Sequence, residues 1–86
     1  MSKLIEIEFP QTSETSHLQY KFMSDQLIFW GLKKYTNPKN QEVKSKIYID
    51  LKGPTLCCEI EPEDTHVDAD AIFADIDAKI KAALGV

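Results

Sequence analysis

The sequence contains no arginine, and all ten of its positively charged residues are lysines. A guanidinium group holds phosphate or carboxylate through two parallel hydrogen bonds, whereas an ammonium group offers only a mobile point charge. Fourteen acidic residues outnumber the lysines and leave a formal net charge of −4. Because both features oppose contact with a phosphate backbone, sequence-specific nucleic-acid binding is disfavoured.

Long apolar runs and a disulfide framework are also missing. A membrane span needs about 20 consecutive apolar residues, and no segment approaches that length. Glu6 and Glu8 interrupt the apolar stretch that a signal peptide would need. Cys57 and Cys58 are adjacent and do not form the spaced pairs of a secreted domain. These features predict a cytoplasmic protein that makes no membrane contact.

The length of 86 residues predicts a single domain that spans residues 1–86. With 43% hydrophobic and 28% charged residues, the composition is close to the globular average, which opposes disorder. A chain of this size buries about 60–65% of its unfolded surface, enough for one two-layer core. Because such a domain has little stability to spare, a binding surface is favoured over an elaborate buried catalytic site.

Alternation of apolar and polar side chains predicts most of the strands. Ile5, Ile7 and Phe9 alternate with glutamates, and the same period of two recurs further along the chain. Short links between the later strands favour antiparallel neighbours. We therefore expect an antiparallel β-meander of about five strands, at approximately residues 3–9, 17–22, 27–33, 43–52 and 55–61.

Residues 16–35 also fit a helix, because Leu18 and Phe22 lie four positions apart. The aromatic side chains of this segment suit a pleated surface, however, and Gly31 would weaken a helix. These two features favour a hairpin with a turn near Ser24.

The apolar run after this turn predicts an uncovered sheet face. A strand that is apolar on both faces needs cover on both, and one helix covers only one. We expect Trp30 to lie on the open face, where Tyr48 joins it. Tryptophan and tyrosine are favoured anchors for a partner or for a dimer. The alternative is that the sheet curls and closes over these residues itself.

The last third of the chain predicts an amphipathic helix at approximately residues 66–84. Apolar residues recur every four positions over 72–84, and Gly85 suits the helix exit. Thr65 and Asp68 have the spacing of a capping box. This helix should pack on one face of the meander, which makes the fold a two-layer α+β domain.

Charge is unevenly distributed along the chain. Residues 59–77 carry eight carboxylates and no lysine, whereas residues 33–52 carry a net charge of +4. Such a layout steers association with an oppositely charged partner, although acidic runs are most often simply solvated surface. We therefore expect a non-enzymatic module that binds a protein with a basic surface, as an inhibitor, adaptor or accessory subunit. Its expected contacts are Glu59, Glu61, Glu63, Asp64, Asp68, Asp70, Trp30 and Tyr48.

Other functions fit parts of the sequence. By analogy, the profile suits phage- or mobile-element-encoded inhibitors of nucleic-acid-binding machines. A thiol-dependent enzyme or a metal or redox protein would use Cys57 and His66. However, Cys57 and Cys58 are neighbours in a strand and project to opposite faces, so their two sulfur atoms cannot bind one metal ion together. Lysines and aromatics together can bind single-stranded nucleic acid. We expect no catalytic residue, metal or cofactor, and we keep a homodimer through the open sheet face as an alternative assembly.

Overall fold

The computed structural model of the chain describes residues 2–86. The α+β fold is confirmed, and residues 16–35 form strands rather than an α-helix. The strand positions agree with the expected ones to within a few residues. The strands are β1 (Leu4–Phe9), β2 (Leu18–Met23), β3 (Leu27–Thr36), β4 (Val43–Leu51) and β5 (Thr55–Ile60); Ser24–Gln26 is a 3₁₀ turn, and the helix α1 is Ala69–Leu84.

The strands divide into two antiparallel sheets, β1–β2 and β3–β4–β5. The expected continuous meander is thus interrupted, because β2 and β3 do not pair. The 3₁₀ turn redirects the chain between them: the carbonyl of Gln26 accepts a hydrogen bond from the backbone N–H of Lys52, which follows β4. β3 therefore starts against β4. A short link favours pairing of the two strands that it joins. Here it changes the direction of the chain instead, so that β2 and β3 belong to different sheets.

One hydrophobic core joins both sheets and the helix. The alternation in β1 and β4 and the four-residue spacing in α1 direct their apolar side chains to the same interior, as predicted. Burial of this surface is the main favourable term in the folding of a small domain. The buried residues are Ile5, Ile7, Phe9 and Phe22 of the first sheet, Ile47, Ile49, Leu51, Cys58 and Ile60 of the second, and Ile76 and Ile80 of α1.

The helix α1 begins three residues later than expected. Asp68 is its N-cap, and one carboxylate oxygen accepts hydrogen bonds from the backbone N–H groups of Asp70 and Ala71 at 3.1 and 3.2 Å. Because Asp68 itself satisfies these free N–H groups, Thr65 is not the first residue of a capping box, and that prediction is wrong. At the other end, Gly85 adopts a φ of 79° and terminates the helix as expected.

The distal half of the β3–β4 hairpin lies outside the core. Residues 33–43 are all exposed, and the described chain measures 48 × 23 × 22 Å along its principal axes. The turn is held locally: the side chain of Asn37 accepts a hydrogen bond from the backbone N–H of Lys39 at 2.9 Å. Within residues 2–86, no helix combines the length and the apolar character that crossing a bilayer requires.

Candidate functional site

The lysines of the β3–β4 hairpin neutralise part of the predicted acidic surface. The ammonium group of Lys44 lies 3.8 Å from a carboxylate oxygen of Glu59 and 3.0 Å from one of Glu61. The hydrogen bond to Glu61 raises the pKa of Lys44. Lys34 forms a second pair with Asp70 of α1, at 2.8 Å. Segments that are oppositely charged in the sequence thus meet within one molecule.

Two more carboxylates of the acidic segment form ion pairs along α1. Asp75 pairs with Lys79 at 3.0 Å and Asp77 with Lys81 at 2.9 Å, each four residues apart. Exposed pairs of this kind add little to folding stability. They do reduce the charge that an approaching protein would meet.

Asp64 has a structural role. It is only 6% exposed, and its carboxylate accepts hydrogen bonds from the backbone N–H and the hydroxyl of Ser13, at 2.9 and 3.0 Å, and from the backbone N–H of Glu61, at 2.9 Å. Burial acts to raise the pKa of Asp64, but these hydrogen bonds favour the ionised form and lower the pKa overall. Because this carboxylate is enclosed, it does not fit the expected role as a partner contact.

The loop between β1 and β2 closes the outer edge of β5. The hydroxyl of Thr12, which is buried, donates to the backbone carbonyl of Glu59 at 2.8 Å. The backbone N–H of Glu59 in turn donates to the hydroxyl of Thr15 at 3.1 Å. These bonds satisfy backbone groups that an edge strand leaves free. Sequence reasoning missed this function of the polar segment 11–16, because its composition is that of an ordinary loop.

The outer face of the β3–β4–β5 sheet, opposite the core, carries an aromatic cluster. Gly31, Tyr48 and Cys57 are neighbours across the three strands. The ring centroids of Phe29 and Tyr48 are 6.0 Å apart, and the ammonium group of Lys33 lies 5.1 Å from the Tyr48 centroid. We call these five residues the aromatic face.

Gly31 allows the Tyr48 ring to lie across β3. A Cβ atom at this position would lie 2.5 Å from the Tyr48 hydroxyl oxygen, closer than real Cβ contacts. An aromatic ring that covers a strand glycine is a recognised way to stabilise such a site. Phe29 packs beside this ring and is 56% exposed, and the adjacent Ile28 is 62% exposed. Tyr48 is among the contacts expected from the sequence and Phe29 is not, although the Gly31–Tyr48 combination is a usable signal.

Trp30 and Tyr48 lie on opposite sides of the sheet, so the expectation that they share the open face is wrong. Trp30 pairs with the buried residue Ile49, and its indole N–H donates to a carboxylate oxygen of Asp77 at 2.8 Å. This hydrogen bond is the main cause of a lowered pKa of Asp77. Because the run from Leu27 onward is continuously apolar, it lacks the alternation that would distinguish its inward and outward sides.

The two cysteines project to opposite faces, as strand geometry predicts. Cys58 is fully buried, and burial raises the pKa of its thiol. Cys57 is half-buried on the aromatic face. His66 donates a hydrogen bond from Nε2 to the carbonyl of Gln11 at 3.1 Å. The described residues contain no group of three or more His, Cys, Asp or Glu side chains that could hold a metal ion.

The remaining predicted contacts have separate positions. Asp68 caps α1, and Glu63 is exposed in the segment that follows β5. In comparisons with protein-family models, curated proteins and solved structures, no match to the chain was found. The chain thus combines an acidic surface that is largely engaged with an aromatic face that is open.

Proposed function

We propose that this chain is a non-enzymatic protein-binding module that acts stoichiometrically, as an inhibitor, adaptor or accessory subunit, and that its partner docks on the aromatic face. The observation that supports this most directly is the 56% exposure of Phe29 beside Tyr48. Clustered aromatic side chains are favoured interface anchors because they bury a large area with few rotatable bonds.

The charges around the aromatic face indicate what kind of partner fits it. On this side of the sheet, Lys46 lies opposite Glu59 on one neighbouring strand and Lys33 on the other. Both charges are therefore present beside the aromatic face. This arrangement suits a protein with an apolar centre and a rim of both charges, whereas a strongly basic partner would find many of the carboxylates already paired.

The contact surface continues along the protruding hairpin. Tyr35 lies on the same side of β3 as Phe29 and Lys33, because alternate strand residues share a face, and it is 51% exposed. The hairpin thus extends the aromatic face beyond the core. A partner that lies along it can contact both ends without any change in the core.

A matched pair of substitutions tests the proposal by affinity capture from a lysate of the native host. Phe29→Ser removes the exposed ring of the aromatic face, and Leu4→Ser removes an apolar side chain of nearly equal exposure, 55%, on β1. We expect Phe29→Ser to weaken capture at least about tenfold, and Leu4→Ser to retain it. Both variants should melt near the wild-type temperature. Equal capture by Phe29→Ser would contradict the proposal.

Charge reversal separates this surface from the acidic one. Lysine at both Asp70 and Asp75 of α1 repels Lys34 and Lys79 and inverts the charge of the acidic surface on the core side of the sheet, away from the aromatic face. We expect this double variant to capture the same partner as the wild type. If capture is lost here and kept in Phe29→Ser, the acidic surface is the docking site.

Single-stranded nucleic-acid binding is a second candidate, favoured by the position of the Lys33 ammonium group over Tyr48, beside the exposed Phe29. Aromatic rings with adjacent cations can stack bases and neutralise phosphates. The net charge of −4 and the lack of arginine oppose it. We expect no change in the anisotropy of a labelled oligonucleotide at low salt. Salt-sensitive binding that Phe29→Ser abolishes would identify nucleic acid as the ligand.

A further inference from the structure

β3 forms one edge of the three-stranded sheet, and within residues 2–86 no strand pairs with its outer side. The strand is ten residues long and contains no proline. An edge of this kind presents free backbone N–H and C=O groups and can add another strand.

The hydrogen bonds of Glu59 establish the direction of the backbone groups in β3. Glu59 bonds Thr12 and Thr15 on the side of β5 away from β4, so it does not bond its cross-strand neighbour Lys46. In an antiparallel ladder the backbone of Lys46 then points toward β3, where it meets Lys33. Alternate residues point the other way. The residues of β3 with outward N–H and C=O groups are therefore Trp30, Leu32, Lys34 and Thr36.

Lysines often guard such an edge against pairing, but those of β3 are engaged on its two faces. The ammonium group of Lys34 bonds Asp70 at 2.8 Å on the core side. The ammonium group of Lys33 lies over the Tyr48 ring on the aromatic face. Because each ammonium group is drawn to a face of the sheet, the edge itself is left accessible.

We infer that the partner of this edge is a second copy of the chain, with the two β3 strands antiparallel about a two-fold axis at Leu32. In this register Trp30 of one copy lies opposite Lys34 of the other, and both have outward backbone groups. The Leu32 residues of the two copies also face each other in a hydrogen-bonded pair. The same register places the exposed Phe29 opposite the exposed Tyr35, and such aromatic cross-strand pairs stabilise sheets.

Charge selects this register over its neighbours. An axis at Lys33 would place the two Lys33 side chains directly opposite each other, and an axis at Lys34 would do the same for Lys34; like charges in this position are destabilising. An axis at Gly31 would bring Lys34 against the irregular stretch between Leu27 and Phe29, where the strand register shifts. The Leu32 axis avoids the like-charge contacts and meets the irregular stretch only at its ends, where Thr36 of one copy lies opposite Ile28 of the other.

The dimer goes beyond the proposed function. A two-fold axis perpendicular to the sheet joins the two three-stranded sheets into one of six strands. Both aromatic faces then lie on the same side, with Phe29 of each copy beside Tyr35 of the other. The assembled protein presents two adjacent docking faces rather than one.

Sedimentation of the full chain with a matched pair of variants at Lys34 tests this inference. Lys34→Pro removes an outward N–H but no hydrogen bond to β4, whereas Lys34→Ala keeps that N–H and loses the lysine side chain beyond Cβ, as the proline variant also loses its ammonium group. We expect the wild type and Lys34→Ala to dimerise with rising concentration, and Lys34→Pro to remain monomeric. A wild type that stays monomeric up to about 1 mM, or a Lys34→Pro variant that still dimerises, overturns the inference.

Amide hydrogen exchange of the wild type gives a readout that does not depend on the folding of a variant. The N–H groups of Trp30, Leu32 and Lys34 should exchange at least about tenfold more slowly in the dimer than in dilute monomer. A dimer without this protection would associate through another surface. Protection that appears only when a different protein is added would show that the edge pairs with a strand of that protein. Either result overturns the inference. Because Lys34→Pro leaves Phe29 and Tyr48 unchanged, its partner capture reports separately on the proposed function.

Discussion

The acidic surface and the aromatic face differ in how far their side chains are satisfied within the molecule. Glu59, Glu61 and Asp70 reach lysine ammonium groups, and Asp64 is enclosed by hydrogen bonds. Phe29 packs against the Tyr48 ring and still leaves more than half of its surface exposed. A surface can bind a partner only through side chains that are not already engaged within the molecule. The number of charged side chains therefore does not by itself measure the capacity of a surface to bind.

The largest contrast is expected between two adjacent carboxylates, Asp64 and Glu63. Asp64→Ala leaves the backbone N–H groups of Ser13 and Glu61 without their acceptor, and we expect a fall in melting temperature of roughly 5–10 °C. Glu63→Ala removes an exposed side chain and should change it by less than about 2 °C. Thermal unfolding followed by circular dichroism measures both. Equal effects would remove the distinction between an engaged and a free carboxylate.

The contribution of Asp64 to folding stability should also depend on pH. Its pKa is lowered in the folded protein, so its ionised form contributes stability above the unfolded pKa of about 3.9. That contribution is lost as pH falls through the folded pKa. The difference in melting temperature between the wild type and Asp64→Asn should therefore narrow below about pH 4; a difference that persists unchanged in acid would contradict the role of the charge.

An intermediate effect on folding stability is expected at the two cysteines. Cys58 faces the core, and Cys57 lies on the aromatic face. Burial raises the pKa of Cys58, so its neutral thiol contributes stability that is present below the unfolded pKa of about 8.5 and is lost as pH rises through the folded pKa. The stability difference between the wild type and Cys58→Ala should shrink above about pH 8.5. Cys57→Ala serves as the control.

Alkylation gives an independent check on the same pair. Iodoacetamide should modify Cys57 in the native protein, and Cys58 only after unfolding, because a buried neutral thiol is unreactive. Mass spectrometry of the alkylated chain distinguishes the two sites. Equal native rates would show that the core side of β5 is open to solvent.

The smallest effect is expected at Lys44. Lys44→Ala removes two partly exposed salt bridges, to Glu59 and to Glu61, and should shift the melting temperature by less than about 2 °C. It also frees Glu59 and Glu61, so a poly-lysine peptide should bind this variant roughly two- to threefold more tightly than the wild type at low salt. Lys39→Ala, at the tip of the same hairpin, is the matched control. Identical peptide affinity in all three proteins would mean that Lys44 does not mask the acidic surface.

Much of the fold could be predicted because its signals are local. Ile5, Ile7 and Phe9 alternate with polar residues and are all buried, and Ile76 and Ile80 occupy the buried side of α1. The division into two sheets could not be predicted, since it depends on a hydrogen bond between Gln26 and a residue after β4.

Less of the candidate site could be predicted. The residue type of Tyr48 and its place in an alternating strand predict its position on the outer face. For Trp30 the sequence predicts the wrong side, because burial of one side of β3 depends on the position of Asp77 in α1. The sequence predicts a free Asp64, because its hydrogen-bond partner Ser13 lies 51 residues away.

By itself, the sequence determined the strands and the helix, and for β1, β4 and α1 also the inward side, because periods of two and of about four residues act between near neighbours. Only the tertiary structure decided which carboxylates are engaged and which side of β3 is open. Those outcomes depend on the register between strands and on where the helix crosses them, which bring Lys44 to Glu59 and Glu61, and Trp30 to Asp77. These contacts join residues that lie far apart in the sequence, so no periodic pattern in the chain predicts them.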